Sequence, residues 1–225
     1  MSVLDTLLSV IAPLECLGCS SEGTALCLAC SAKLTTTSQS HCFRCERPTT
    51  GNTTCKDCFV QFPLYSVLSR CNYEGLAKKL VHEFKFTGKR SIAKDLARLM
   101  SGTPLPISPK TIVVYVPTAT SRVRSRGFDH ARLLAKVMSR LLGLPLARAL
   151  VRTTQARQVG YGRSERAKHI HGAFTVRLPK SIKNAHILLV DDVVTTGATL
   201  GEAARVLQKA GAARIDAVVF ASTPK

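Results

Sequence analysis

The sequence predicts an α/β fold, a parallel sheet flanked by helices, with a small metal-stapled module at its N-terminal end. Three observations carry this expectation. Short apolar runs without alternation, TIVVYV at residues 111–116 and ILLV at residues 187–190, have the pattern of strands buried on both faces. Amphipathic stretches ended by Gly or Pro lie between such runs, which is the rhythm of βαβ units. Eight of the nine cysteines fall in four CxxC pairs within residues 16–58.

The opening MSVLDTLLSVIAPLEC has an apolar stripe of Leu4, Leu7, Leu8 and Ile11, but it carries Asp5 and no basic leader. It reads as a short docked helix rather than a signal peptide, so a cytoplasmic location is expected. The pairs that follow are Cys16 and Cys19, Cys27 and Cys30, Cys42 and Cys45, and Cys55 and Cys58. A CxxC turn presents two thiolates to one ion, and two turns complete the tetrahedron that zinc prefers, so four turns predict two structural zinc ions. Seven residues separate the pairs of the first copy and nine those of the second. That repetition favours consecutive pairing, and a cross-braced arrangement stays open. Disulfides and redox motifs are the rival readings, disfavoured by the absence of an export signal and by the fourfold recurrence. Little apolar material lies between these pairs, so metal binding is expected to supply most of the folding free energy there. Cys71 stands outside the pattern, in a strand expected over residues 65–73, as a buried thiol.

A length of 225 residues suits a moderate domain plus a small module, divided here as 1–62 and 63–225. In the second part, GLAKKLVHEFKF and SIAKDLARLMSG read as helices on either side of Gly88, followed by a loop with Pro104, Pro106 and Pro109. The strand at 111–116 stops at Pro117. A helix is expected from about Asp129, a candidate N-cap, to Leu142, with Gly143 and Pro145 beyond it. The last unit is the strand at 187–190, a loop, a helix to Ala210 and a strand AVVFA at 217–221. No apolar run is long enough to span a membrane.

Composition adds a partner class. Thirty-two basic against fourteen acidic residues give a formal charge of +18, which attracts polyanions through phosphate neutralisation. Nucleic acid is therefore a candidate partner, although a polyphosphate pocket needs positive charge too. Aromatic residues make up only 5%, with no Trp, so no extensive base-stacking platform is advertised.

The most specific motif is LLVDDVVTTGATL at residues 188–200. Its apolar run places Asp191 and Asp192 at the carboxyl end of a strand, where open α/β sheets bind ligands. Val193 and Val194 lead into Thr195, Thr196, Gly197, Ala198 and Thr199, small residues whose backbone N–H groups can close around an anion at a helix N-terminus. Carboxylates accept from sugar hydroxyls, so the pattern suits a phosphorylated sugar. The bland alternative is a buried strand followed by a polar turn. Arg122, Arg124 and Arg126 occupy a loop, PTATSRVRSRGF, at the end of the preceding strand, and their planar guanidinium groups suit phosphate oxygens. Residues 152–169 lack periodicity and are dense in Arg, Gln and Gly. They read as a basic loop, either closing over a substrate or simply exposed.

Taken together, the cysteine pairs, RGFDHA, QVGYGRSER, HGAF at 171–174 and LLVDDVVTTGATL resemble the ComF family, also called ComFC or GntX-like. The resemblance implies a double zinc ribbon joined to a type I phosphoribosyltransferase domain and a role in DNA uptake during natural transformation, with competence-machinery proteins as possible partners. It implies that Asp191 and Asp192 bind the ribose of phosphoribosyl pyrophosphate, that residues 195–199 bind its 5-phosphate and that Arg122 and Arg126 face the pyrophosphate. Gln158 and Arg166 would belong to a mobile loop. The implied reaction displaces pyrophosphate from the anomeric carbon by a nitrogen nucleophile, with Mg²⁺ bridging the leaving diphosphate. Asp192 and His130 are both candidates to act on the acceptor. The rival reading is a non-catalytic module that binds single-stranded DNA and couples it to partners. The family usually shows GFNQA where this chain has Gly127, Phe128, Asp129, His130 and Ala131, and an Asn where His169 stands.

Overall fold

The computed structural model describes residues 14–34, 40–153, 171–177 and 179–223. Two short helices, α1 (Leu28–Ala32) and α2 (Lys56–Gln61), belong to the cysteine-rich segment. There follow β1 (Val67–Asn72), α3 (Gly75–Phe86), α4 (Ile92–Ser101), β2 (Thr111–Tyr115), α5 (Thr120–Arg126), α6 (His130–Leu142), β3 (Leu146–Ala147), β4 (Leu150–Arg152), β5 (Phe174–Val176), α7 (Pro179–Ile182), β6 (His186–Val194), α8 (Ala198–Lys209) and β7 (Arg214–Ser222).

Five strands form one sheet in the order β1-β7-β6-β2-β3, with every pairing parallel. Strands β4 and β5 form a separate antiparallel pair. The expected sheet is present, and its central strand, β6, is the one that carries the acidic doublet. Alternate residues of the strands feed two cores. Leu68, Val113, Leu188, Val190, Val218 and Phe220 face α3, α4 and α6, while Val67, Val114, Ile187, Leu189, Ala217 and Val219 face α8. Burial on both faces is why these strands read as continuous apolar runs.

The cysteine-rich segment shares both cores. Cys16, Leu26, Cys30 and Leu34 pack with the first, and Phe43 packs against the second. Cys71 is buried, its thiol directed at the Phe220 carbonyl oxygen 3.4 Å away. Asp129 is the N-cap of α6, its side chain accepting from the Arg132 N–H, and Gly143 closes that helix at a φ of 65°.

Two elements differ from expectation. The arginine-bearing stretch is helix α5 rather than a loop, closed by Gly127 in the left-handed region at a φ of 76°. Strand β6 does not end at the doublet. It continues to Val194, because Asp191, Val193 and Val194 pair with Val219, Ala221 and Ser222 of the equally extended β7. The anion loop is correspondingly short, with α8 starting at Ala198.

At the amino ends of the strands, opposite the doublet, a buried polar network ties β2, β6 and β7 together. Asp216 accepts from Ser66 Oγ at 2.6 Å and from Arg214 Nε at 2.6 Å, and His186 Nε2 stands 2.7 Å from the same carboxylate. His186 Nδ1 meets Thr111 Oγ1 at 3.0 Å. Burial alone would raise the Asp216 pKa, but the hydrogen bonds from His186, Arg214 and Ser66 hold it below the ordinary 3.8. A depressed carboxylate contributes stability that is present above its unfolded pKa and lost as pH falls through the folded value. Asp216→Asn should therefore lower the urea-unfolding free energy at neutral pH by about 3 kcal/mol, the cost of breaking a buried pair. It should also flatten the stability loss below pH 3.8; an unchanged acid limb would overturn the assignment.

Candidate functional site

Successive side chains of a strand point to opposite faces, so Asp191 and Asp192 meet different surroundings. Asp192 is buried. Lys85, in the last turn of α3, places Nζ 2.7 Å from its Oδ1. His130, the first residue of α6, places Nε2 2.7 Å from Oδ2, although the contact is off the hydrogen-bond line and that oxygen has no aligned donor among the described residues. Arg126 Nη1 lies 3.2 Å from the other ring nitrogen of His130. A guanidinium only donates, so Nδ1 is the accepting nitrogen toward Arg126 and Nε2 is the one that faces the carboxylate.

The two carboxyls titrate apart. Burial, then the neighbouring charge of Asp192, pushes Asp191 up to about 7. Burial would raise Asp192 as well, but His130 and Lys85 outweigh it and bring the pKa down to about 2. One member is therefore a fixed anion and the other exchanges a proton near neutrality. Positive charge surrounds them. Burial and then Arg122 lower the pKa of Arg126, against the pull of Asp192, and the same two causes lower Arg152 against Asp191. The three guanidinium groups and the doublet thus share one electrostatic field. Arg122 and Arg126 lie four residues apart on one face of α5, whereas Arg124 is exposed on a different face.

Beyond the doublet, Val193 is half-buried against the first core and Val194 is buried in the second, so their side chains serve packing. The N–H groups of Thr195, Thr196 and Gly197 donate to nothing among the described residues. Thr195 and Thr196 are exposed, Ala198 and Thr199 are half-buried, and Gly197 turns into α8 at a φ of 76°. Three donors without a partner among the described residues thus stand at the positive end of a twelve-residue helix, an arrangement that suits an anion.

The cysteines assemble as consecutive pairs, Cys16, Cys19, Cys27 and Cys30 in one cluster and Cys42, Cys45, Cys55 and Cys58 in the other. A tetrahedron of zinc–sulfur bonds of ~2.3 Å places sulfurs about 3.8 Å apart. The Cys19 and Cys27 sulfurs are 3.7 Å apart and those of Cys45 and Cys55 are 3.5 Å apart, so both clusters fit zinc. Burial would raise the Cys16 thiol, but backbone N–H groups from Cys27, Gly18 and Cys19 bring it to about 6. The backbone N–H of Arg47 leads the effects that bring Cys45 to about 6. Burial and neighbouring sulfurs push Cys30 and Cys58 up to about 12, the repulsion that a divalent cation relieves.

Sequence reasoning missed two cations. Lys85 lies 107 residues from Asp192, and nothing local marks it among the lysines of α3. Arg152 ends β4 and stacks on Phe174, 5.3 Å from the ring centroid. Gln158, Arg166 and His169 lie outside the described residues.

Residues 124–225 match the family described as phosphoribosyl transferase domain, and residues 7–59 match the double zinc ribbon domain. The chain is 30% identical over 204 residues to the DNA utilization protein YhgH of Escherichia coli (strain K12), covering 84% of this chain and 87% of that one. It is 30% identical over 197 residues to competence protein ComFC of Bacillus subtilis (strain 168), covering 84% and 80%. Competence protein F of Haemophilus influenzae (strain ATCC 51907 / DSM 11121 / KW20 / Rd) is 28% identical over 171 residues, 72% of this chain and 75% of that one. The chain belongs to the ComF family.

Its departures from the usual GFNQA pattern of ComF proteins acquire distinct meanings in this geometry. Asp129 caps α6, a task that Asn performs as well, so that change leaves the helix start intact. His130 in place of Gln sets an imidazole against Asp192. The change therefore acts on the doublet itself.

Elemental analysis of the purified chain should find two zinc ions, one per cluster. Replacing Cys42, Cys45, Cys55 and Cys58 together by Ser should leave one ion per chain, and loss of both ions would refute the consecutive pairing.

Proposed function

We propose that this ComF protein binds phosphoribosyl pyrophosphate with Mg²⁺ and transfers the phosphoribosyl group to a nitrogenous acceptor, in the service of DNA uptake or use. The observation that carries the reading is the acidic doublet and the donor-rich cradle on one strand–loop–helix unit, with Arg126 in the field of Asp192, Arg152 in that of Asp191, and Arg122 close enough to act on both arginines. Carboxylates suit ribose hydroxyls, free N–H groups suit the 5-phosphate, and guanidinium groups suit the diphosphate. The names of the relatives, which speak of DNA utilization and competence, support the cellular role.

In the proposed reaction the bond between the anomeric carbon and the diphosphate oxygen breaks, with its electrons leaving on the diphosphate. The acceptor nitrogen forms the new bond to carbon and releases a proton. Positive charge grows on the ribose ring beside the doublet, and negative charge grows on the diphosphate beside the arginines. Preorganised groups of opposite sign are the main source of acceleration in such a step. Asp192, held ionised by Lys85 and His130, suits the electrostatic role. Asp191, with a pKa of about 7, suits the proton transfer, since a base works best near the operating pH. Asp191, Asp192 and His130 offer donor atoms within 4.8 Å of one another, and the unaligned Oδ2 of Asp192 is a further argument for a cation there. Mg²⁺ bound by these carboxylates and by substrate oxygens would neutralise charge on the leaving diphosphate.

Calorimetry with phosphoribosyl pyrophosphate and Mg²⁺ tests the binding, and pyrophosphate release against a panel of bases tests the transfer. The double change Asp191→Asn with Asp192→Asn should weaken binding by about tenfold or more, the loss expected for charge-assisted hydrogen bonds. Absence of heat with the unaltered chain would overturn the proposal. The charge of +18 favours a second reading, a non-catalytic module for single-stranded DNA and partner proteins. Binding without release for every base, together with steeply salt-dependent affinity for a single-stranded oligonucleotide, would favour it.

A further inference from the structure

The second cysteine cluster reaches the anion cradle. Phe43 and Arg44 are the two residues between the ligand thiols Cys42 and Cys45, so a zinc ion on those sulfurs fixes the turn that carries them. Arg44 Nη1 donates to the Thr196 carbonyl oxygen at 3.1 Å, across 152 residues of sequence. The Phe43 ring lies so close over Gly197 that a Cβ there would stand 2.5 Å from it. Phe62, just beyond α2, lies over Gly201, where a Cβ would stand 2.1 Å from the ring. The two rings meet edge to face at 6.2 Å and 89°, and the Arg44 guanidinium stacks 5.0 Å from the Phe62 centroid. Phe43, Arg44 and Phe62 thus form one clamp on the loop and the first turn of α8.

We infer that Phe43, Arg44 and Phe62 are positioning residues for phosphomonoester binding, so that the second cysteine cluster is a working part of the cradle. The inference rests on the sugar-phosphate reading above and adds to it the source of the cradle's shape. In a trans peptide the C=O and the following N–H point in opposite directions. Arg44 holds the Thr196 carbonyl toward the cysteine cluster, which turns the Gly197 N–H away from that cluster as one of the three donors without an acceptor among the described residues. Phe43 blocks the opposite flip by filling the space over Gly197. The two glycines make the contact possible, because any side chain at 197 or 201 would displace a ring. The first cluster has no such role, since Cys16 and Cys30 pack into the core on the other side of the sheet.

Pure packing between two parts of the chain would predict the same contacts, so the test separates local positioning from general stability. The probes are ribose 5-phosphate and inorganic pyrophosphate, each titrated calorimetrically into the full zinc-loaded chain. Arg44→Ala and Phe43→Ala should each weaken ribose 5-phosphate binding about tenfold, a difference of about 1.4 kcal/mol. Pyrophosphate binding should stay within about twofold, the scatter expected of an uncoupled site. Zinc content should remain at two ions per chain. Arg44→Lys, which keeps a donor and a charge, should recover part of the affinity, and Leu28→Ala, at an exposed position of the first cluster, should have no effect. Amide exchange at Gly201, whose N–H donates to the Gly197 carbonyl oxygen, should quicken in Arg44→Ala while the strands of the sheet stay protected. Equal ribose 5-phosphate affinity in Arg44→Ala and Phe43→Ala would overturn the inference and leave the sugar-phosphate reading standing. Equal loss for both probes would overturn it in favour of packing alone. No heat from ribose 5-phosphate with the unaltered chain would overturn both.

Discussion

A carboxylate buried at the carboxyl end of the central strand sets the terms for everything around it. Asp192 could not be desolvated alone, because an isolated buried charge costs several kilocalories per mole and neutralises instead. Lys85 from α3 and His130 from α6 supply the compensation, so two helices from one layer are tied to the strand that carries the site. The same contacts divide the labour within the doublet. By holding Asp192 ionised they leave Asp191 facing a fixed negative neighbour, which adds to burial in keeping its own proton affinity high.

The anion cradle follows from the way β6 ends. The strand stays paired to β7 through Val194, and α8 starts after three residues, so the turn is short and Gly197 takes a left-handed conformation. A short turn leaves its N–H groups without carbonyl partners, which is costly in isolation and useful next to an anion. The cysteine-rich segment braces this turn through Phe43, Arg44 and Phe62, and the family's pairing of a zinc module with a phosphoribosyltransferase domain thereby gains a physical link. Metal binding in such a module is coupled to its folding, and its shape is transmitted to the loop by two rings and a guanidinium.

Much of this was legible without coordinates. The cysteine spacing disclosed four CxxC turns for two zinc ions and its repetition favoured consecutive pairing, but only the structure brings the sulfurs together in that pairing. The apolar runs disclosed the parallel sheet, and Asp129 and Gly143 marked the two ends of α6. The reading of residues 117–128 as a loop failed for an identifiable reason. Pro117 ends the preceding strand and Gly127 follows closely, which left room only for a connection, yet the stretch beyond Ala119 contains no residue that forbids a helix until Gly127, and its arginines are good helix formers. The length of β6 was underestimated because charges usually end a buried strand, and here the partner strand β7 extends just as far.

The sequence by itself determined the parallel sheet with most of its helices, the CxxC turns that present sulfurs to zinc, and an acidic doublet before a small-residue turn, because all of these are written in spacings of a few residues. Only the tertiary structure decided which cations meet the doublet and what holds the turn. Lys85 and Asp192 are 107 residues apart, and Arg44 and Thr196 are 152 apart. Such contacts depend on how helices seat on a sheet, a matter of shape and burial that no local pattern encodes.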